Sequence, residues 1–72
     1  MKTKFITIDK EILGGTPVFL GTRIPVQTLF DYLEGGYSID DFLKSFPTLK
    51  KTQVMNVLRT AEKFVVADEN IA

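Results

Sequence analysis

Cysteine, histidine and tryptophan are all absent from this chain of 72 residues. Without cysteine there is no disulfide framework and no thiolate ligand, and without histidine the commonest general base and metal ligand is missing. A metal or acid–base site would therefore depend on carboxylates alone. The most obvious pair, Asp40 and Asp41, is sequential and would not share one face of a helix. We therefore expect no catalytic residues, no metal and no cofactor, and the protein is predicted not to be an enzyme.

Long hydrophobic runs are also missing. No segment approaches the roughly 20 apolar residues that span a bilayer, and the polar start Met1–Phe5 is not followed by the apolar stretch of a signal peptide. The triplet Gly14-Gly15-Thr16 lacks the Lys-Ser/Thr ending of a phosphate-binding loop. These observations predict a cytoplasmic protein with no membrane partner and no small-molecule substrate.

Charge is balanced over the whole chain but not along it. Nine basic residues offset nine acidic ones, which argues against strong non-specific binding to nucleic acid. Between Phe42 and Lys63, however, five basic residues accompany a single acidic residue, so this segment carries +4 and the remainder of the chain −4. The asymmetry permits a basic face on this segment.

The segment Gly14–Val26 holds three of the five glycines and two of the three prolines, and the rest of the sequence is organised around it. Glycine readily adopts positive φ, so a turn is predicted at each end of a short strand. Arg23 has two interpretations: its planar guanidinium could clamp a carboxylate or phosphate of a partner, or it could hydrogen-bond the carbonyls of the turn. The constrained turn favours the second. The connector residues of interest are Gly15, Gly21, Thr22, Arg23 and Pro25.

Hydrophobic spacing predicts an N-terminal β-arm followed by three helices. A strand over about residues 4–8 would pair with a strand at Val18, with Ile12 and Leu13 packed inward. The first helix is predicted over residues 26–34 and is stopped by Gly35-Gly36. A capping box formed by Ser38 and Asp41 would begin the second helix, which Pro47 ends.

The third helix is predicted over about residues 50–66. Its expected buried residues are Val54, Val57, Leu58, Ala61, Phe64 and Val65. The expected fold class is mostly α, with an N-terminal β-arm or hairpin followed by a helix-turn-helix-like, homeodomain-like bundle of three helices. The chain would form one domain, with the β-arm and connector over residues 1–25, the trihelical region over 26–67 and a frayed tail over 68–72.

The connector string GGTPVFLGTRIPV resembles the signature of a small bacterial and archaeal family known as domain of unknown function 433. The likeness continues through residues 29–38 and 46–48 and covers about residues 5–63. Membership would imply a helix-turn-helix-like domain, often dimeric, encoded beside a small PIN-like nuclease as its antitoxin. The family pattern places Ser or Thr where Lys50 stands, so the cap and the start of the third helix are left open, with Thr48 as the alternative cap.

A helix-turn-helix unit would place the third helix in the major groove of DNA. Its candidate DNA-binding residues are Lys50, Lys51, Thr52, Gln53, Asn56, Arg59 and Lys63. Lysines neutralise phosphates, whereas Gln and Asn are residue types that read adenine. The competing interpretation is that this polar face is solvated or faces a protein partner, because the neutral net charge weakens the electrostatic contribution to binding.

The eight aromatic residues provide more large apolar surface than one small core readily hides. Aromatic side chains are enriched in interface cores, so a homodimer or a toxin interface is predicted. The candidate interface residues are Phe5, Tyr32, Phe64 and Val65. The alternative is a well-filled core in a monomer.

The resemblance therefore predicts an antitoxin of a type II toxin–antitoxin pair, which neutralises a PIN-like ribonuclease and can also bind operator DNA. Two alternatives stay open: a stand-alone dimeric DNA-binding regulator, and a non-catalytic dimerisation or scaffold module. An adjacent reading frame that encodes a small PIN-like protein would favour the antitoxin.

Overall fold

The computed structural model describes residues 4–71, with side chains described over residues 4–67. Two short strands, β1 (Ile6–Thr7) and β2 (Val18–Phe19), precede three helices, α1 (Val26–Glu34), α2 (Ile39–Ser45) and α3 (Lys51–Ile71). A 3₁₀ turn over Leu13–Gly15 lies between the strands. The predicted class, mostly α with an N-terminal hairpin, is confirmed.

The strand pairing predicted for the β-arm is present, although β1 is shorter than the predicted 4–8. The strands are antiparallel, with Ile6 opposite Phe19 and Thr7 opposite Val18. On the other edge of β2, Val18 bridges to Pro25, and the Phe19 N–H donates to the Ile24 carbonyl at 3.0 Å. Strand β2 is therefore paired on both edges, and its two side chains are fully buried.

The turn that joins the two strands differs from the prediction for Leu13. The Asp9 carboxylate accepts a hydrogen bond from the Glu11 N–H at 2.9 Å, and the Asp9 carbonyl accepts one from the Ile12 N–H. Leu13 follows with a positive φ of 49° and is 49% exposed. The prediction that Leu13 packs inward is wrong, because the tight turn directs its side chain to solvent, whereas Ile12 is half-buried.

The ends of α1 and α2 follow the local signals in the sequence. Helix α1 has the predicted bounds, and Gly36 takes the left-handed conformation just beyond it, with φ 87°. The predicted capping box is confirmed at the start of α2. The Asp41 N–H donates to Ser38 Oγ at 3.1 Å, and the Ser38 N–H donates to Asp41 Oδ2 at 3.0 Å.

One buried cluster joins all three helices to the hairpin. Its members come from β2, α1, α2, the turn before α3, and α3 itself: Phe19, Leu29, Phe42, Leu49, Val54 and Val57. Phe42 lies at the centre of the aromatic contacts, with ring centroids 6.1 Å from Phe19, 5.3 Å from Tyr32 and 5.0 Å from Phe46. Core packing therefore fixes α2 against both α1 and the hairpin.

Helix α3 begins at Lys51, which places Lys50 at the cap position and answers the question of its start. The Gln53 side-chain oxygen accepts a hydrogen bond from the Lys50 N–H at 3.0 Å. This contact is the returning half of a capping box, in which the third helical residue bonds the backbone of the cap. The helix start is thus stabilised by Gln53 rather than by Ser or Thr at the cap.

The far end of α3 differs from the expectation. Val54 and Val57 are buried as predicted, but Phe64 and Val65 are 70% and 61% exposed, so their predicted burial within the chain is wrong. The helix runs past the predicted end at Val66 to Ile71. The predicted frayed tail, residues 68–72, lies beyond the residues whose side chains the structure describes. Within the described part of the chain, no helix is both long and apolar enough to cross a membrane.

Candidate nucleic-acid and partner interfaces

The exposed start of α3 carries the first candidate DNA contacts. Lys50, Lys51 and Thr52 are all exposed. They follow the turn over residues 46–50, which is closed by a hydrogen bond from the Leu49 N–H to the Phe46 carbonyl at 3.0 Å. Because Leu49 is buried in the core, the turn is held in place and the two lysines stand at a fixed corner of the molecule.

Gln53 is held differently from the neighbouring candidates. Its Oε1 accepts from the Lys50 N–H, and its Nε2 donates to the Leu20 carbonyl at 3.3 Å. Both ends of the amide are therefore engaged within the chain, and the residue is half-buried. The structure gives Gln53 a tethering role between the start of α3 and the connector, which sequence reasoning missed. The half capping box could have been found from a Gln three residues after the cap, but the tether joins residues 33 apart.

The remaining polar candidates form one stripe along α3. Thr52, Asn56, Arg59 and Lys63 recur at spacings of four, three and four residues, which places them on one helix face. Asn56 Nδ2 donates to the Thr52 carbonyl at 2.7 Å, so this half-buried amide is partly engaged by its own helix. Arg59 and Lys63 are exposed.

Thr22 closes the turn of the connector. Its N–H and its hydroxyl both donate to the Phe19 carbonyl, at 3.0 and 2.8 Å, and its Oγ1 accepts from the Ile24 N–H at 3.0 Å. Gly21 at the tip has the predicted positive φ, 77°, as does Gly15 at 97°. Pro25 then stands at the cap position of α1.

Arg23 does not make the turn contacts that the sequence favoured. The side chain is exposed, and no hydrogen bond, ion pair or ring contact of Arg23 occurs within the described part of the chain. Thr22 supplies the closure expected of the guanidinium. A threonine hydroxyl that bonds the backbone two residues further on, as Thr22 does with Ile24, is a common turn device, so the signal was present in the Gly-Thr pair.

The four interface candidates fall into two groups. Tyr32 is half-buried, and its ring contacts Tyr37, Phe42 and Phe46 within the same chain. Phe5 is half-buried near the ammonium of Lys4, 6.0 Å from the ring centroid. Phe64 and Val65 instead project from α3 into solvent. The structure thus brings only the α3 pair together on an exposed surface.

A groove between α1 and α2 was not predicted from the sequence. It has a volume of about 590 Å³ and is lined by Tyr32, Tyr37, Asp41, Lys44 and Ser45. The pKa of Asp41 is lowered mainly by its hydrogen bond with the Ser38 backbone and, to a smaller extent, by its hydrogen bond with the Ser38 side chain. All the lining residues except Tyr32 are exposed, so the groove does not enclose a ligand as small-molecule pockets do.

A hairpin and three helices, with exposed lysines at the start of α3 and exposed apolar side chains towards its end, define a small, mostly α domain. The chain belongs to the family described as "Protein of unknown function (DUF433)", whose model matches residues 6–60. It is 35% identical over 51 residues to "Uncharacterized protein y4eO" of Sinorhizobium fredii (strain NBRC 101917 / NGR234). That match covers 71% of this chain but only 23% of the relative. No solved structure matches the chain.

Proposed function

We propose that the protein is the antitoxin of a toxin–antitoxin pair, which contacts operator DNA with the start of α3 and binds a PIN-like ribonuclease with the end of the same helix. The observation that carries this proposal is the division of α3. Its first turns pack in the core and present lysines, whereas its last described turns project with apolar side chains exposed. One helix thus offers two surfaces of different chemistry.

The apolar end favours a protein partner that surrounds the helix. Phe64, Val65 and Val66 are 70%, 61% and 47% exposed, and Ala67 continues the run. Four consecutive apolar residues cover all sides of a helix, a pattern that is normal for buried helices. Insertion into a hydrophobic groove is a recurring way to cover such a segment. Burying these three large side chains would contribute on the order of 5 kcal/mol.

The cationic start favours DNA. Lys50 and Lys51 are exposed at the fixed corner, and Arg59 and Lys63 continue along the polar stripe. Phosphate neutralisation by such residues supplies most of the non-specific affinity for DNA. Because the chain has no net charge, we expect weak binding by one chain and tighter binding by an assembly.

We propose a homodimer as the assembly. A core of this size is near the lower limit for independent stability, and two-stranded hairpins are marginal by themselves. Two copies would also present two α3 starts to DNA half-sites related by the same symmetry. Light scattering at micromolar concentration should give the mass of a dimer, and a monomer whose mass does not change with concentration would contradict it.

The test of toxin binding begins with the adjacent reading frame, which the proposal expects to encode a small PIN-like nuclease, and the two products should co-purify. Phe64→Asp should abolish co-purification and inhibition of the nuclease, because it places a charge in the apolar contact. Since Phe64 is 70% exposed, the variant should keep the circular dichroism spectrum of the wild type. Glu62→Ala, an exposed change on the same helix, is the matched control and should retain the complex. Retention of the complex by Phe64→Asp would refute the proposed docking surface.

The test of DNA binding is titration of the protein's own promoter at two salt concentrations, with and without the nuclease. Lys51→Ala should weaken all sequences alike and lower the salt slope by about one unit. Asn56→Ala should cost about 1–3 kcal/mol at particular bases if its amide exchanges the Thr52 contact for a base edge. Absence of binding in both settings would remove the DNA part of the proposal.

A further inference from the structure

We infer that the connector turn is a second element of the DNA surface, in which Arg23 binds the phosphate backbone beside the start of α3. The inference rests on the proposed DNA contact of α3 and extends it to a segment 27 residues earlier in the chain. From the sequence, a phosphate or carboxylate of a partner was one interpretation of Arg23, but Arg23 was not among the candidate DNA-binding residues.

The turn is tied directly to α3. Gln53 Nε2 donates to the Leu20 carbonyl at 3.3 Å, and the Gln53 Oε1 accepts from the Lys50 N–H. One amide therefore joins the connector to the first turn of the helix. Thr22 closes the turn with two bonds to the Phe19 carbonyl, so the backbone beside Arg23 is held by the same turn that Gln53 joins to α3.

Three carbonyls around the turn already have hydrogen-bond partners other than Arg23. The Phe19 carbonyl accepts from Thr22, the Leu20 carbonyl accepts from Gln53, and the Ile24 carbonyl accepts from the Phe19 N–H. Within the described residues, Arg23 makes no hydrogen bond or ion pair and its side chain is exposed. An exposed guanidinium beside a hydrogen-bonded turn is suited to bidentate recognition of a phosphate or carboxylate.

The charge of the two joined segments favours phosphates over a single carboxylate. The sequence has no acidic residue between Glu11 and Asp31, and none between Asp41 and Glu62. The Gln53–Leu20 hydrogen bond joins these two stretches, in which Arg23, Lys50 and Lys51 are exposed and neither stretch contributes an acidic side chain. A partner with repeated negative charges matches such a surface, and the phosphate backbone of DNA has them.

The experiment compares Arg23→Ala with Lys51→Ala and with a control, Lys10→Ala, by titration of promoter and scrambled duplexes over a salt series. Lys10 is an exposed cation on the strand-joining turn, at the opposite end of the hairpin from Arg23. One phosphate contact changes the salt slope by about 0.9, which corresponds to about eightfold in affinity for a tenfold drop in salt. Arg23→Ala should lower the salt slope by about 0.9 on both duplexes. Lys10→Ala should have the slope and the affinity of the wild type.

Arg23→Lys keeps the charge and should retain the slope of the wild type, and unchanged circular dichroism would show that the variants fold. A wild-type slope for Arg23→Ala, with Lys51→Ala still weakened, would overturn the inference and leave the proposed DNA contact of α3 intact. Loss of nuclease co-purification by Arg23→Ala with unchanged DNA affinity would overturn it in favour of a protein contact. If the wild type does not bind DNA, alone or with the nuclease, both the inference about Arg23 and the proposed DNA contact of α3 would be overturned.

Discussion

The tether made by Gln53 can be tested by two substitutions that divide its hydrogen bonds. Gln53→Ala removes both the bond from the Lys50 N–H and the bond to the Leu20 carbonyl. Gln53→Glu keeps an oxygen that can accept from Lys50 but has no donor for Leu20. The pair of variants therefore separates stabilisation of the helix start from attachment of the connector.

The expected losses follow from the two bonds. Each net hydrogen bond contributes about 0.5–1.5 kcal/mol, so Gln53→Ala should lose about 1–3 kcal/mol, less a few tenths from the better helix propensity of alanine. Gln53→Glu should lose about one such bond and recover about 0.3–1 kcal/mol, because a carboxylate is favourable in the first turn of a helix. The predicted order of stability is wild type, Gln53→Glu, then Gln53→Ala.

Urea unfolding followed by circular dichroism measures this order. With a slope of about 1 kcal/mol per molar urea for a small domain, the midpoint of Gln53→Ala should fall by about 0.7–2.7 M. Gln27→Ala is the matched control, since its amide bonds only the exposed Asp31 within α1 at 3.1 Å. Pairs of this kind contribute about 0.2–0.5 kcal/mol. A midpoint for Gln53→Ala equal to that of Gln27→Ala would refute the tether.

Three further outcomes are expected. Gly21→Val should destabilise the fold by more than about 1 kcal/mol, because φ at Gly21 is 77° and a β-branched residue is strained there. Gly21→Asn should destabilise it by less, because asparagine tolerates this conformation and no atom would crowd an added Cβ. An unchanged melting temperature for the valine variant would contradict this. The pKa of Asp41 is lowered from its ordinary 3.8 by Ser38, so its stabilisation is present above that pH and is lost as pH falls through the lower folded value. Asp41→Asn should therefore flatten the acid limb of a stability–pH curve. Phe42→Ala should cost about 3–5 kcal/mol, since Phe42 is fully buried, and a smaller loss in urea would show a looser core.

Local signals in the sequence were sufficient to predict α1 and the start of α2. Pro25 precedes α1, Gly35-Gly36 ends it, and the Ser38–Asp41 capping box depends on residues three apart. Each of these devices acts within one turn of the backbone. The helix bounds could therefore be predicted from neighbouring residues alone.

The exposure of Phe64 could not be predicted in the same way. Periodicity shows which residues share a helix face, but not whether another element reaches them. By rise per residue, α3 is about 31 Å long, whereas α1 and α2 are about 14 and 10 Å long. The two short helices cannot cover both halves of α3, so its far end projects.

The candidate site depends on contacts that are distant in sequence. Gln53 and Arg23 were both selected from residue type, but their environments are set by the bond between Gln53 and Leu20. No local pattern encodes a side chain that bonds a carbonyl 33 residues earlier. The set of candidate residues could be proposed from the sequence, but the joining of the connector to α3 required the fold.

The two tyrosines give this protein an intrinsic optical reporter at the junction of α1 and α2. Tyr32 and Tyr37 are the only tyrosines, tryptophan is absent, and the two rings lie 5.4 Å apart where α1 ends and α2 begins. Tyrosine fluorescence and the tyrosine band of near-ultraviolet circular dichroism therefore monitor the junction of α1 and α2, while far-ultraviolet circular dichroism weights the long α3. Recording both signals during one denaturation compares this junction with the helix without any added label. Coincident transitions would show that the domain loses its structure as one cooperative unit.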